Sequence, residues 1–588
     1  MNYKWDLTRL FKSEKEYKKS INDVNDMLNK IVKYKGKILD SDKTLLELLE
    51  LDSKIDLIVS RLYVYAHLGF YDDMSNTKFQ QYKEECNSLN IKSNSIRSFI
   101  IPELLSCDYD KINTYISKNK GLKKYEFLLK RLFRNKPHIL SEKEEKILSD
   151  LSVVMDTPED AFSSLNNVDV KFGKIKDENG NSVELTASNY SNFIMSKDEK
   201  VRKSAFKKQH LFYKNHINTI SSLYIGQVKN DVFYSRVRKF DNVLASNLFS
   251  DNIDNALYKN LIKITNLNTK YLREYYDYKS SKINSKMHMY DLYLNTSTMS
   301  DEKVSYEDAI KIANKALKPL GDEYLKTFNY LLENRCVDVY PKANKRSGAY
   351  QWGSYGVLPY VSLNYENNVD SLSTLVHEMG HAMHTYYSDK NEDFIYAEYP
   401  IFLAEIASTV NEILLSEYLI NNAKSKDEKI YYIIEFLDKF KATVYRQVMF
   451  AEFEDTVHEY YEKGNPLTKD YLCNTYLELN KKQFSPSVIV DKDIMYEWAR
   501  IPHFYSSYYV YKYATGFISA LIIVDKLLNE KDFKDKYIKF LSSGSSDYPL
   551  NLLSKLGIEI TDEKVLNRAF ELFKDKLTML NKIESGEE

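Results

Sequence analysis

Apolar residues recur every three to four positions along most of the chain, the spacing that lets one face of a helix be buried. From residue 1 to about 165 this predicts successive amphipathic helices, as in Leu45-Leu-Glu-Leu-Leu-Glu-Leu-Asp and Leu62-Tyr-Val-Tyr-Ala-His-Leu. The charged run Ser141-Glu-Lys-Glu-Glu-Lys-Ile reads as a solvated helix start. The period then shortens to two. Val168-Asp-Val-Lys-Phe alternates, Asp177-Glu-Asn-Gly-Asn is turn chemistry and Val183-Glu-Leu follows, which predicts a β-hairpin. A boundary is expected soon after it, giving an N-terminal helical domain over 1–195 and a second, catalytic domain over 196–588. Helical spacing returns from 196 to about 330, where the phenols of Tyr271-Leu-Arg-Glu-Tyr-Tyr-Asp-Tyr fall at core positions rather than on a base-stacking surface.

A second β region is expected at Cys336-Val-Asp-Val-Tyr340 and Val357-Leu-Pro-Tyr-Val-Ser-Leu-Asn-Tyr365. Pro359 inside the latter predicts an edge strand, because proline has no N–H for a partner. An edge strand can receive an extended peptide by strand addition, and Gly353 and Gly356 in the intervening segment would let a peptide backbone come close. A plain edge strand is the alternative. Beyond residue 366 the helical period resumes to the C-terminus.

Composition supports long helices: only 16 Gly and 11 Pro occur in 588 residues. That length exceeds one ordinary core, so two or more lobes are expected. The fold class is therefore mainly α with small β elements. A net charge of −1 argues against a nucleic-acid surface. No apolar run is long enough to span a bilayer, and the start Met-Asn-Tyr-Lys-Trp-Asp lacks a secretory pattern. The four cysteines (Cys86, Cys107, Cys336, Cys473) are scattered, which suits reduced thiols and a cytoplasmic protein.

The chemistry concentrates in Leu375-Val-His-Glu-Met-Gly-His-Ala-Met-His384. On a helix capped by Asp370 or Ser371, His377 and His381 lie one turn apart on one face and can share a Zn²⁺ ion. Glu378 is then placed as general base for a water on the open coordination position. A third histidine at the extended-motif position fails, because residue 387 is Tyr. Downstream, Phe402-Leu-Ala-Glu-Ile-Ala-Ser-Thr-Val-Asn-Glu412 puts Glu405 and Glu412 seven apart on one face of an apolar segment. Burying carboxylates there is costly without a cation or donors. Glu405 is read as the third ligand and Glu412 as a carboxylate holding a ligand imidazole's outer N–H. A solvated acid is the alternative for Glu412. His384 is either near the site or part of an aromatic wall, and His67 and His138 read as structural.

These motifs, together with Tyr340-Pro-x-x-x-Lys-Arg-Ser-Gly-Ala-Tyr350, the opening Trp5-Asp-Leu-Thr and Leu185-Thr-Ala-Ser-Asn-Tyr190, resemble oligoendopeptidase F of the thimet-oligopeptidase-like zinc peptidases. The resemblance spans nearly the whole chain. It implies two helical lobes enclosing a deep channel, one zinc ion per chain, and hydrolysis of internal bonds in short unstructured oligopeptides. It also implies that a His and two Tyr in Arg500-Ile-Pro-His-Phe-Tyr-Ser-Ser-Tyr-Tyr-Val-Tyr-Lys-Tyr donate to the oxyanion. The positions carried over are His503, Tyr505 and Tyr511, with Tyr508 as substitute at the substrate. A zinc carboxypeptidase or dipeptidyl enzyme stays open, with Lys345, Arg346, Arg500 or Lys512 as candidate carboxylate binders.

Overall fold

Helix starts follow the polar punctuation of the sequence. In the computed structural model, which describes residues 3–297 and 303–587, Ser13, Ser41, Asn242, Ser305, Ser425 and Thr468 each accept a backbone N–H from the first turn of the helix that follows. Such caps satisfy donors that the helix itself leaves orphaned. Ser141 and Glu144 form a reciprocal capping box at the predicted solvated start. Helices dominate, with sheets of only two, two and three strands among the described residues, so the mainly α expectation holds. No described helix is long and apolar enough to cross a membrane, and all four cysteines are free thiols.

The chain forms two compact units, each assembled from three stretches: 1–137, 301–418 and 523–558, and 138–300, 419–522 and 559–588. A single cut at residue 195 does not separate them. The reason is local. The predicted hairpin exists, Lys174–Lys176 pairing antiparallel with Ser182–Glu184, but Phe172 at its base packs on Phe212 and Tyr213 of the long helix Glu199–Val237. Hairpin and following helix therefore share a unit, and the change of period marks a turn rather than a boundary.

In the first unit, the opening motif is a clasp. Asp6 accepts from Thr8 N at 3.1 Å and its own N–H donates to Arg335 O at 3.1 Å, while Trp5 packs on Tyr350 and Tyr360. Those two tyrosines lie on the three-stranded sheet, in which Tyr360–Ser362 is the middle strand, parallel to Val337–Asp338 and antiparallel to Tyr350–Trp352. The edge-strand expectation for the Pro359 segment is thus corrected. Pro359 immediately precedes the ladder and forfeits no bond in it, so the strand that follows can be central. Tyr350–Trp352 and Val337–Asp338 are the edges.

The second unit shows where the tyrosines go. Tyr258, Tyr275, Tyr276, Tyr445 and Tyr476 are fully buried. Tyr258 donates to Ala451 O at 2.9 Å, Tyr445 to Asn268 O at 2.8 Å and Tyr476 to Glu497 Oε2 at 2.6 Å. The phenols fill core space, and the hydroxyls of Tyr258, Tyr445 and Tyr476 pair with buried acceptors.

Candidate functional site

The helix Val369–Asn391 begins at Asn368, whose side chain accepts Ser371 N–H at 2.8 Å. The expected caps Asp370 and Ser371 lie already inside the helix; Ser371 Oγ instead accepts from Glu366 N at 3.0 Å. Two turns on, His377 and His381 project from one face with their Nε2 atoms 3.2 Å apart. Glu405, on the neighbouring helix Ile401–Asn421, brings Oε2 to 3.5 Å from His377 Nε2 and 3.6 Å from His381 Nε2. These three residues are the described group able to hold a metal. Bonds of ~2.0–2.2 Å to a tetrahedral ion separate its ligand atoms by about 3.3 Å, so the donor set fits zinc in kind and in spacing.

Hydrogen bonding orients the set. His377 Nδ1 donates to Glu412 Oε1 at 2.7 Å, which leaves the Nε2 lone pair facing Glu405. Burial alone would lower the His377 pKa, but the bond and charge of Glu412 outweigh it and the pKa is raised. Glu405 is held at about 2, chiefly by hydrogen bonding to His381, and Ser408 Oγ lies 3.2 Å from Glu405 Oε2. Glu378 is 7% exposed. Burial raises its pKa against the opposing pull of both histidines, which makes it a stronger base than a solvated carboxylate.

Two residues that sequence reasoning did not single out let the helices meet. A Cβ on Gly380 would lie 2.6 Å from Ser408 Cα and 2.8 Å from Ala407 O, so only glycine permits this approach. One turn away, Asn411 Nδ2 donates to Val376 O at 3.0 Å while its Oδ1 accepts from Tyr324 at 3.1 Å. The signals were a glycine inside a long helix and an asparagine inside an apolar one.

His384 stays apart from the ligand group. Its ring stacks on Tyr399 at 3.7 Å and on Phe540 at 6.0 Å, and burial drives its pKa down to about 3, so it is a neutral wall residue. Gly353 lines a cavity of about 230 Å³ between the edge strand and this helix, with Gln351, Trp352, Thr385, Asp389 and Tyr399. Gly356 sits in a turn at φ +73°, a conformation costly for other residues. Lys345 is committed to Asp338 at 2.6 Å and to the carbonyls of Tyr340 and Leu363. Arg346 stacks over Tyr71.

The phenol-rich segment belongs to the second unit. Tyr505 stacks against Phe162 at 4.4 Å and Tyr511 meets Tyr258 edge to face at 5.3 Å; both are buried, as is Tyr508. The phenols grouped with half-buried His503 are Tyr513, 3.4 Å from its Nε2, and Tyr509, 6.4 Å ring to ring. Tyr509 and Tyr513 also pack on each other at 5.4 Å. Lys512 pairs with Asp251 at 2.9 Å, and Arg500 with Glu497 at 2.7 Å.

Comparison with known proteins agrees with this constellation. The family model described as Peptidase family M3 matches residues 192–572, and that described as Oligopeptidase F matches 103–172. Oligopeptidase PepF of Bacillus subtilis is 39% identical over 98% of this chain and 87% of its own length. An oligoendopeptidase F homolog of Borreliella burgdorferi is 38% identical over 99% and 98%. The crystal structure of oligoendopeptidase-F from Enterococcus faecium superposes with a TM-score of 0.74 at 31% identity, covering 97% of this chain and 99% of that one. With matches of this extent, the chain belongs to peptidase family M3.

Proposed function

We propose that the chain is a zinc-dependent oligoendopeptidase that cleaves internal bonds of short, unstructured peptides, with one zinc ion per chain. The observation that carries this reading is the convergence of His377, His381 and Glu405 beside the buried, basic Glu378. Zinc held by these three side chains would polarise water and lower its pKa towards ~7. Glu378 then accepts a proton from the attacking water at its carboxylate oxygen and returns it to the nitrogen of the leaving amine. Glu412 keeps His377 in the tautomer whose Nε2 is free to ligate. The unpaired side of Tyr350–Trp352 is the strand to which an extended substrate adds, with Gly353 at its end. His503, Tyr509 and Tyr513 are the donors we assign to the oxyanion, replacing Tyr505 and Tyr511. A cytoplasmic location is part of the same reading.

A carboxypeptidase needs a cation for the substrate's terminal carboxylate, and the ion pairs of Lys345 and Lys512 take two candidates out of that role. The test is an internally quenched peptide blocked at both ends. Chelator-sensitive cleavage at an interior bond, restored by zinc, is expected. Cleavage only of peptides with a free C-terminus would overturn the endopeptidase assignment, and cleavage indifferent to chelation the metal.

A further inference from the structure

The second unit contains a cavity of about 210 Å³ whose walls include Ile194, Phe206, Met289, Leu292, Phe484 and Ile494. Its floor is charged. Arg446 Nη2 and Arg500 Nη2 both bind Glu497 Oε1, at 2.8 and 2.7 Å, and Lys441 at the edge pairs with Asp438 at 2.7 Å, as Lys279 does behind it at 3.0 Å. Four cations thus share two hydrogen-bonded carboxylates, with the charge of Glu435 acting on Lys279 as well. An excess of buried positive charge is costly unless an anion completes it. Orphan polar atoms point the same way. Tyr276 Oη and Arg500 Nε are buried donors without an acceptor, while His210 Nε2 and Gln483 Oε1 are buried acceptors without a donor. His210 is neutral, because burial lowers its pKa and its Nδ1–H already serves Phe206 O at 2.8 Å, so its Nε2 can only accept. Buried polar groups are rarely left unpaired in native proteins.

Taken together, these features describe a ligand with a carboxylate, an N–H and an apolar side chain. The volume lies below the ~300–1,000 Å³ of drug-sized sites, which limits the occupant to about one acylated residue. Ser191, Ala442 and Met195, all exposed, form the mouth. We infer that this cavity is a binding site for N-acylated apolar amino acids, the carboxylate meeting Arg446 and Arg500 and the N–H meeting His210 or Gln483. This inference does not rest on the hydrolytic reading.

The experiment is calorimetric titration of N-acetyl-L-leucine into the full chain, before and after chelation. One-to-one binding that survives chelation is expected. N-acetyl-leucinamide, which lacks the charge, should bind at least about tenfold more weakly, and 4-methylpentanoate, which lacks only a neutral N–H contact, about threefold more weakly, since hydrogen bonds to charged groups are the stronger ones. Ser191→Trp and, separately, Ala442→Trp plug the mouth from exposed positions and should abolish binding while leaving the melting temperature and peptide hydrolysis unchanged. Absence of binding at millimolar ligand, equal affinity for the amide, or undiminished binding in both tryptophan variants would overturn the assignment.

Discussion

His377 Nδ1 and Glu412 Oε1 are 2.7 Å apart, a contact between two helices that fixes which imidazole nitrogen faces the ligand group. Through this bond Glu412 would act on a bound metal by way of the ring. Glu412→Gln should weaken zinc binding about 10–100-fold with the fold retained, whereas Glu405→Ala, which removes a ligand, should leave purified protein essentially metal-free. Metal content measured against a series of chelator strengths separates the two. Equal zinc retention in Glu412→Gln and the parent would end the orienting role.

Glu378→Gln is expected to keep a full complement of zinc and lose nearly all turnover, because the amide preserves shape but cannot take a proton. The check is kcat on the quenched peptide alongside metal analysis of the same sample. Full activity in a zinc-loaded variant would remove Glu378 from the reaction.

Gly380→Ala tests the approach of the two helices. The added Cβ meets backbone atoms, Ser408 Cα and Ala407 O, which cannot swing aside as a side chain would. Overpacking of this kind costs ~1–3 kcal/mol, and the resulting shift separates the histidines from Glu405. A lower melting temperature together with lost zinc is expected. Ala382→Gly, on the same buried helix, controls for loss of helix stability alone and should retain the metal.

The histidine helix was legible because its chemistry is local: a four-residue spacing becomes one face wherever the segment is helical. Glu405 and Glu412 were legible for the same reason. What failed were inferences that depend on partners. Pro359 spoke against a central strand only if its position needed an N–H, and in the structure the ladder starts one residue later. The phenols of 505–513 were carried over from the family resemblance, not read from a spacing. That segment is a short turn at Pro502–Tyr505 followed by Tyr508 at φ +55°, and a helix begins only at Tyr511, so no single helical period maps its residues onto faces. Tyr505, Tyr508 and Tyr511 turn into the core, and Tyr509 and Tyr513 remain with His503.

The proposed reassignment has a measurable form. Tyr513→Phe and Tyr509→Phe should each lower kcat, by ~10²–10³ for a true oxyanion donor, with little change in melting temperature. Tyr505→Phe should do the reverse of a catalytic lesion. Its hydroxyl is buried without a partner, so removing it leaves kcat unchanged and stability equal or slightly higher. A large kcat loss in Tyr505→Phe with both other variants active would restore the sequence-based selection.

Glu454 sets a pH dependence in the second unit. It is 1% exposed; Oε1 accepts from Tyr508 N at 2.8 Å and Oε2 has no partner. Burial raises its pKa to about 8, against the lowering influence of His458. Between its ordinary value near 4.5 and about 8 the folded state holds a proton that the unfolded state has released, so stability falls as pH rises through that window. The full span corresponds to a penalty on the order of 3–5 kcal/mol. His458 has the same sign: burial opposes its charge, but the 3.0 Å bond to Asp231 raises its pKa above 6.5, and that contribution too is lost on the alkaline side. Glu454→Gln keeps an acceptor for Tyr508 and cannot ionise. Its urea midpoint, followed by Trp498, the one tryptophan of this unit, should match the parent at pH 4.5 and exceed it increasingly up to pH 8.5. A constant offset between the two curves at all pH values would show that Glu454 does not change its ionisation on folding.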